Sequence, residues 1–243
     1  MKGKLVEAHI QTRSLSIYMP PSYNNSVRNY PVIYVQDGGS LFHSVLSELE
    51  ELFSFGLVEE VMIVGIEPMD RLAEYTPWFS PSISSDFPPF KGEGREYLTF
   101  ISQNIKPYMD RHFRTKTDRQ HTGMMGASLG GLISVYAMYE FADYFSKFGI
   151  ISPSLWYPNI LSFVQKNKVG KEKRVFLYVG EEEGKRKNNI QREMVNNVLV
   201  ANKIFLRKLS KDNYQFVLGK NADHQKKYFV HQFLNGVKWL YPK

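Results

Sequence analysis

The stretch His121–Tyr139, HTGMMGASLGGLISVYAMY, sets Ser128 between Gly126 and Gly130 in the pattern G-x-S-x-G. A serine hydroxyl attacks a carbonyl only when a base takes its proton and an acid orients that base. Two histidines follow it. His231 falls inside YFVHQFL, an apolar helical run, and reads as structural. His224 stands in the polar stretch NADHQ between the last apolar run and the final helix, where an imidazole can swing back over a turn. An acid is expected after the penultimate strand, in VFLYVGEEEG, which offers Glu181, Glu182 and Glu183. Glu183, three residues beyond Gly180, is favoured and Glu181 comes next. If the three are solvated turn charges, Asp212 or Asp223 does the orienting. The chemistry these types support is acyl transfer through a covalent acyl-serine, in the chain order serine, acid, histidine.

About one random chain in twelve of this length would contain the bare pattern, so the flanking elements carry the argument. RQHTGMM reads as a strand and LGGLISVYAMYEF as a helix. A serine reversing direction between them sits in strained backbone geometry, and side chains at positions 126 and 130 would crowd it. There the Leu129 N–H can face a developing oxyanion at the helix N-terminus. A second donor is expected from VQDGGSLF, where Gly38-Gly39 lets the backbone approach a ligand; Gly39 is favoured, Ser40 second. The competing reading of the elbow is a small-residue helix start with a serine cap. For the Gly38-Gly39 turn it is a plain glycine turn.

The remaining text positions these residues. LVEAHI and LSIYMP predict an opening hairpin, YPVIYV and VMIVGI two buried strands, and Leu41–Phe53 a helix between them. Residues 67–94 hold five prolines and no period, which predicts a long functional loop or partial lid. Helical text resumes over Glu96–His112, kinked or split at Pro107. FSKFGIIS, RVFLYVG and YQFVLG predict further strands, with helices around Leu161, over Ile190–Leu206 and over Tyr228–Leu240. Short buried strands alternating with helices predict a mostly parallel sheet covered on both faces, as one α/β domain over residues 1–243.

Composition narrows the class. With no cysteine the chain has no disulfide framework, thiolate zinc site or cysteine nucleophile. MKGKLVEAHI lacks the apolar core of a signal peptide, and no apolar run approaches a membrane span, so a cytoplasmic protein without membrane contact is expected. The net charge of +7 is uneven: residues 1–170 carry −2 and residues 171–243 carry +9. That basic third reads either as a solvated face or as an attraction for an acidic ligand. No nucleic-acid signature organises the aromatics, so no nucleic-acid partner is expected.

Together, VIYVQDGGSLF, GASLGGLIS, GIISPSLWY, LYVGEEEG and the late ADH resemble the Putative esterase family of α/β-hydrolases, which includes enterochelin-type siderophore esterases, esterase D and feruloyl esterases. The resemblance implies a three-layer α/β-hydrolase fold and ester hydrolysis through an acyl-serine on Ser128 with His224 and Glu183. No metal or organic cofactor is implied. In this family a similar serine-proline-serine stretch with an aromatic lines the cleft, which makes Trp156, beside Ser40, a candidate substrate contact. The compact chain resembles the intracellular siderophore-esterase branch, and an anionic ferric siderophore would suit the basic third. The same scaffold also hosts thioesterases and acyltransferases. A non-catalytic binding protein is the reading from outside the enzyme class.

Overall fold

Val32–Gln36 and Met62–Ile66 are built of Val, Ile, Met and Tyr with one glutamine and one glycine, and every residue is buried. Side chains on a strand alternate between faces, so such runs need cover on both sides. The computed structural model describes residues 1–85 and 87–243; Asp86, within the predicted 67–94 loop, lies outside the described residues. It supplies that cover. Val32 and Tyr34 join one apolar cluster, Ile33 and Val35 the other, and Met62/Val64 against Ile63 divide the same way.

Eight strands form one sheet: β1 (Lys4–Ile10), β2 (Arg13–Met19), β3 (Val32–Gln36), β4 (Met62–Ile66), β5 (Thr122–Ala127), β6 (Lys147–Ile151), β7 (Arg174–Gly180) and β8 (Tyr214–Gly219). Their spatial order is β1-β2-β4-β3-β5-β6-β7-β8. β1 and β2 pair from Lys4↔Met19 to Ile10↔Arg13 as the expected antiparallel hairpin, and β2 lies antiparallel on β4. Every pairing from β4 through β8 is parallel. α1 (Leu46–Ser54) and α8 (Lys226–Leu240) cover one face, setting Leu49, Phe53, Phe233 and Val237 against Ile33, Met125 and Phe176. α3 (Gly94–Phe100), α4 (Lys106–His112), α5 (Leu129–Glu140), α6 (Ile160–Lys166) and α7 (Met194–Lys208) contribute to the cluster on the other.

Helix starts differ from expectation in two places. The Phe42 carbonyl accepts from Val45 at 3.0 Å, an i→i+3 bond that opens a 3₁₀ turn over His43–Val45 before α1 begins. A second 3₁₀ turn, Ile190–Glu193, precedes α7. The predicted split at Pro107 takes the form of a π turn, Ile101–Ile105, with proline in the first turn of α4, where its missing N–H costs least. The 67–94 stretch contains a short helix, α2 (Arg71–Glu74), capped by the Asp70 carboxylate accepting from Leu72 and Ala73. It then packs Phe90 against Trp156 and donates the Trp78 indole N–H to Pro158 O at 3.0 Å. Among the described residues, no helix is long and apolar enough to cross a membrane.

Candidate active site

β5 ends at Ala127, and Ser128 turns the chain into α5 at φ 58°, ψ −120°. A non-glycine residue held there costs about 1–3 kcal/mol and persists only where its surroundings dictate it. They do. The Ser128 N–H donates to Ile151 O (3.1 Å), and its carbonyl accepts from Leu132 and Ser154, both at 3.0 Å. The flanking glycines follow from crowding: a Cβ on Gly126 would sit 2.4 Å from Gly130 O, and one on Gly130 would sit 2.9 Å from Gln36 Cβ.

His224 lies in the loop between β8 and α8. Its Nε2 is 3.1 Å from Ser128 Oγ and its Nδ1 is 2.7 Å from Glu183 Oε2. Nδ1 paired with the carboxylate and Nε2 with the hydroxyl is the arrangement in which Nδ1–H donates to Glu183 and the Nε2 lone pair faces the serine. The ring rests edge-on against Phe229 with centroids 4.8 Å apart, and about a third of it (34%) stays exposed to the cleft. Glu183 is buried to 1% exposure. Its Oε1 accepts from Ser152 Oγ (2.6 Å) and Gly180 N (2.8 Å), which satisfies the buried carboxylate from behind. Burial, with the Glu183 charge adding to it, pushes the neighbouring Tyr178 hydroxyl up to about 12, so that phenol stays neutral beside the carboxylate.

The other candidates go elsewhere. Glu181 accepts the Asn221 N–H at 2.6 Å, and Glu182 pairs with Lys185 at 2.5 Å. Asp212 is exposed in the 3₁₀ turn before β8, and Asp223 accepts from the Gln225 amide. His231 is exposed on α8.

Leu129 opens α5, so its N–H is one of the amides a helix leaves without an internal acceptor. Across the sheet, Asp37 (φ 62°) and Gly38 (φ 57°) turn the chain after β3. Gly38 N–H donates to Ile66 O and Ser40 N–H to Asp37 O, whereas the amides of Gly39 and Leu41 have no acceptor among the described residues. A Cβ at Gly39 would fall 2.0 Å from the His43 ring, so a larger residue there would have to displace that imidazole from Ser16 Oγ. The turn is clamped by a bidentate Arg71–Asp37 pair (2.6 and 3.0 Å) and by Asp37 N–H donating to Tyr75 OH (2.8 Å). Sequence reasoning missed Arg71 and Ser152. Arg71 carries no local signal, whereas the first serine of SPSLWY was already in view.

Ser128, Trp156, Gly184, Lys187, Gln191, Met194 and His224 line a pocket of about 80 Å³. Trp156, 4% exposed, is one of its walls; Ser40 is not among them. Beyond His224 a wider groove of about 370 Å³ is lined by Lys185, Arg186, Lys187 and Lys227, with Glu182 and Asp223 as its acids. Among the described residues no cluster of His, Cys, Asp or Glu is arranged to hold a metal ion.

A family model described as "Putative esterase" matches residues 8–240. YbbA of Bacillus subtilis, an uncharacterized protein, is 38% identical over 100% of this chain and 98% of its own length. Among solved structures, an IroE-like serine hydrolase from Shewanella oneidensis superposes with a TM-score of 0.79 at 22% identity, covering 97% of this chain and 78% of that one. Siderophore hydrolase EstA from Aspergillus nidulans gives 0.76 at 18% identity, covering 98% and 94%. The eight-stranded sheet with its antiparallel first hairpin is the α/β-hydrolase fold of these neighbours. With a match running from the first strand to the last helix, the chain belongs to the Putative esterase family.

Proposed function

We propose that this chain hydrolyses carboxylic esters through an acyl-serine on Ser128. The observation that carries the reading is the unbroken hydrogen-bonded line from buried Glu183 through His224 to a strained, cleft-facing Ser128. Ser128 Oγ attacks the ester carbonyl while its proton passes to His224 Nε2, and the carbonyl oxygen, now an anion, takes hydrogen bonds from the Leu129 and Gly39 amides. Collapse breaks the acyl–oxygen bond, and the imidazolium returns the proton to the departing alcohol. His224 then deprotonates a water that attacks the acyl carbon, releasing the acid and restoring the serine. Glu183 holds the Nδ1 proton in place and stabilises the imidazolium.

Substrate class follows from charge. Arg186, Lys187 and Lys227 line the groove beside His224 and form no ion pair among the described residues, which favours a small-molecule ester carrying negative charge. EstA, a named siderophore hydrolase over nearly the same length of chain, makes a ferric siderophore lactone the leading candidate. The test is labelling of the purified protein by a fluorophosphonate, expected for wild type and lost in Ser128→Ala, alongside hydrolysis of a ferric catecholate trilactone. Folded wild type that is neither labelled nor active on p-nitrophenyl acetate refutes the acyl-serine. Cleavage of p-nitrophenyl acetate with no action on the trilactone removes the siderophore and keeps the esterase.

A further inference from the structure

The segment Ser152-Pro153-Ser154 leaves β6 and passes beneath the elbow, and each of its residues touches a different part of the site. Ser152 is fully buried at φ 44°, donates its N–H to Tyr178 O (2.8 Å), and donates its hydroxyl to Glu183 Oε1 (2.6 Å). Pro153 Cα lies 3.0 Å from where a Cβ on Gly131 would stand, seating the proline against the first turn of α5. Ser154, also fully buried, donates its N–H to Ser128 O, and its hydroxyl is 3.4 Å from Ser128 Oγ.

The contact to Glu183 has the most consequence. The last torsion of a glutamate is broad and roughly two-fold, so burial alone does not decide which way the carboxylate plane faces. Two donors at Oε1 decide it: a main-chain amide from Gly180 and one side chain, Ser152. With Oε1 held, Oε2 is directed at His224 Nδ1. The left-handed backbone at 152 makes the choice of residue informative. Glycine would relieve the strain, and alanine would bury no polar atom. A serine there, with its hydroxyl committed to the carboxylate, is accounted for by what it holds.

Resting on the reading of Ser128, His224 and Glu183 as the reacting set, we infer that Ser152 is a positioning residue: its hydroxyl fixes the Glu183 carboxylate plane and thereby the imidazole within reach of the nucleophile. It touches neither substrate nor reacting atoms. Hydrogen bonds to charged groups are the stronger class, so losing this one loosens the acid without unseating the substrate.

The test uses p-nitrophenyl acetate turnover in Ser152→Ala and Ser152→Gly, the glycine variant leaving the left-handed backbone unstrained. Both should lose about tenfold in kcat with KM held within about twofold. In a Glu183→Ala background, removing Ser152 should cost nothing further, because a residue acting through Glu183 has nothing left to act on. The downfield proton resonance of His224 Nδ1–H should shift in Ser152→Gly, which a role in packing alone would not produce. Wild-type kcat in Ser152→Gly, or an equal loss with and without Glu183, overturns the inference. If Glu183→Ala itself keeps wild-type kcat, the reading of the reacting set fails and this inference with it. A Glu183 loss with wild-type turnover in Ser152→Gly refutes the role of Ser152 alone.

Discussion

Replacing Glu183 by glutamine exchanges one oxygen for an NH₂ group, and the surroundings dictate where that group goes. Oε1 receives two donors, Ser152 Oγ–H and Gly180 N–H, and the amide cannot rotate away from the backbone donor. The glutamine oxygen therefore takes the Oε1 place, and its NH₂ faces His224 Nδ1, 2.7 Å away in the native pair. A donor at that point forces Nδ1 to accept, which moves the imidazole proton to Nε2. The lone pair that should take the Ser128 proton is then occupied. Flipping the amide restores the tautomer but sets NH₂ against the Gly180 N–H, leaving a buried donor unsatisfied at a cost of about 1–3 kcal/mol, or roughly five- to 150-fold in the productive population. The carboxylate charge beside the transient imidazolium is lost as well. For centres about 4 Å apart at an effective dielectric of about 20, that is about 4 kcal/mol, near 10³-fold.

Allowing for overlap between the two effects, Glu183→Gln should reduce kcat by about 10³- to 10⁴-fold, in line with the roughly 10⁴-fold known for an aspartate-to-asparagine change in a serine protease triad. The isosteric variant should be at least as damaging as Glu183→Ala, which imposes no tautomer. Steady-state turnover of p-nitrophenyl acetate by the three proteins, each checked for native melting, reads this directly. Glu183→Gln with more than about a tenth of wild-type kcat, or with clearly more activity than Glu183→Ala, would refute the reasoning.

Gly126→Ala should strain the elbow, because its Cβ would fall 2.4 Å from Gly130 O and 2.8 Å from Gln36 Cγ, the first a backbone atom. Overpacking of this kind costs about 2–3 kcal/mol, which lowers Tm by about 4–12 °C in a chain of this size. Because Ser128 shifts with the turn, kcat should fall about 10²-fold. Unchanged calorimetry with unchanged turnover would contradict the packing. Lys173, 1% exposed, donates to the carbonyls of Ala142 and Phe145, and burial pulls its ammonium down to about 8. Because the folded value is the lower one, the unfolded chain binds the extra proton above pH 8. Wild type should therefore gain about 2 kcal/mol over Lys173→Met between pH 7.5 and 9.5, by urea denaturation at both. A pH-independent difference would sink this assignment.

Much of this architecture is legible in the chain because it rests on local constraints. The central strands are apolar over most of their length and on both faces, which announces two covered faces. Ser128 announces itself through the two glycines its turn requires, and His224 through its place between the last strand and the last helix. The starts of α1 and α7 are not legible, since over a single turn the 3.0 and 3.6 periods place apolar residues alike, and one i→i+3 bond, from Val45 to the Phe42 carbonyl before α1, tips the balance. Nor is the clamp on the glycine turn: Asp37 and Arg71 are separated by 34 positions and meet only because β3 and β4 are neighbours. The three glutamates are the instructive case. Composition cannot rank them, because the turn decides. Glu183 N–H folds back to Gly180 O and Gly184 follows at φ 77°, which turns residue 183 inward, while 181 and 182 face Asn221 and Lys185.

The placement of the site follows from the sheet. In a parallel arrangement all carboxyl ends of the strands lie along one edge, and the loops that leave them converge there. Gly39 follows β3, Ser128 follows β5, Ser152 and Ser154 follow β6, Glu183 follows β7 and His224 follows β8. Five loops from five strands thus meet without any one being long; β3, β5, β6 and β7 are held by a neighbour on each side, and β8, at the edge, by β7. Rigid placement matters more for a serine than for a stronger nucleophile, since its hydroxyl reacts only while a base is within hydrogen-bond reach. The strained φ at Ser128 and at Ser152 falls at two of these strand ends, where neighbouring strands hold the backbone against relaxation. The stabilisation that offsets that strain resides in the apolar sheet, and this is why a core of Val, Ile and Met is as much a condition for the chemistry as the residues that would perform it.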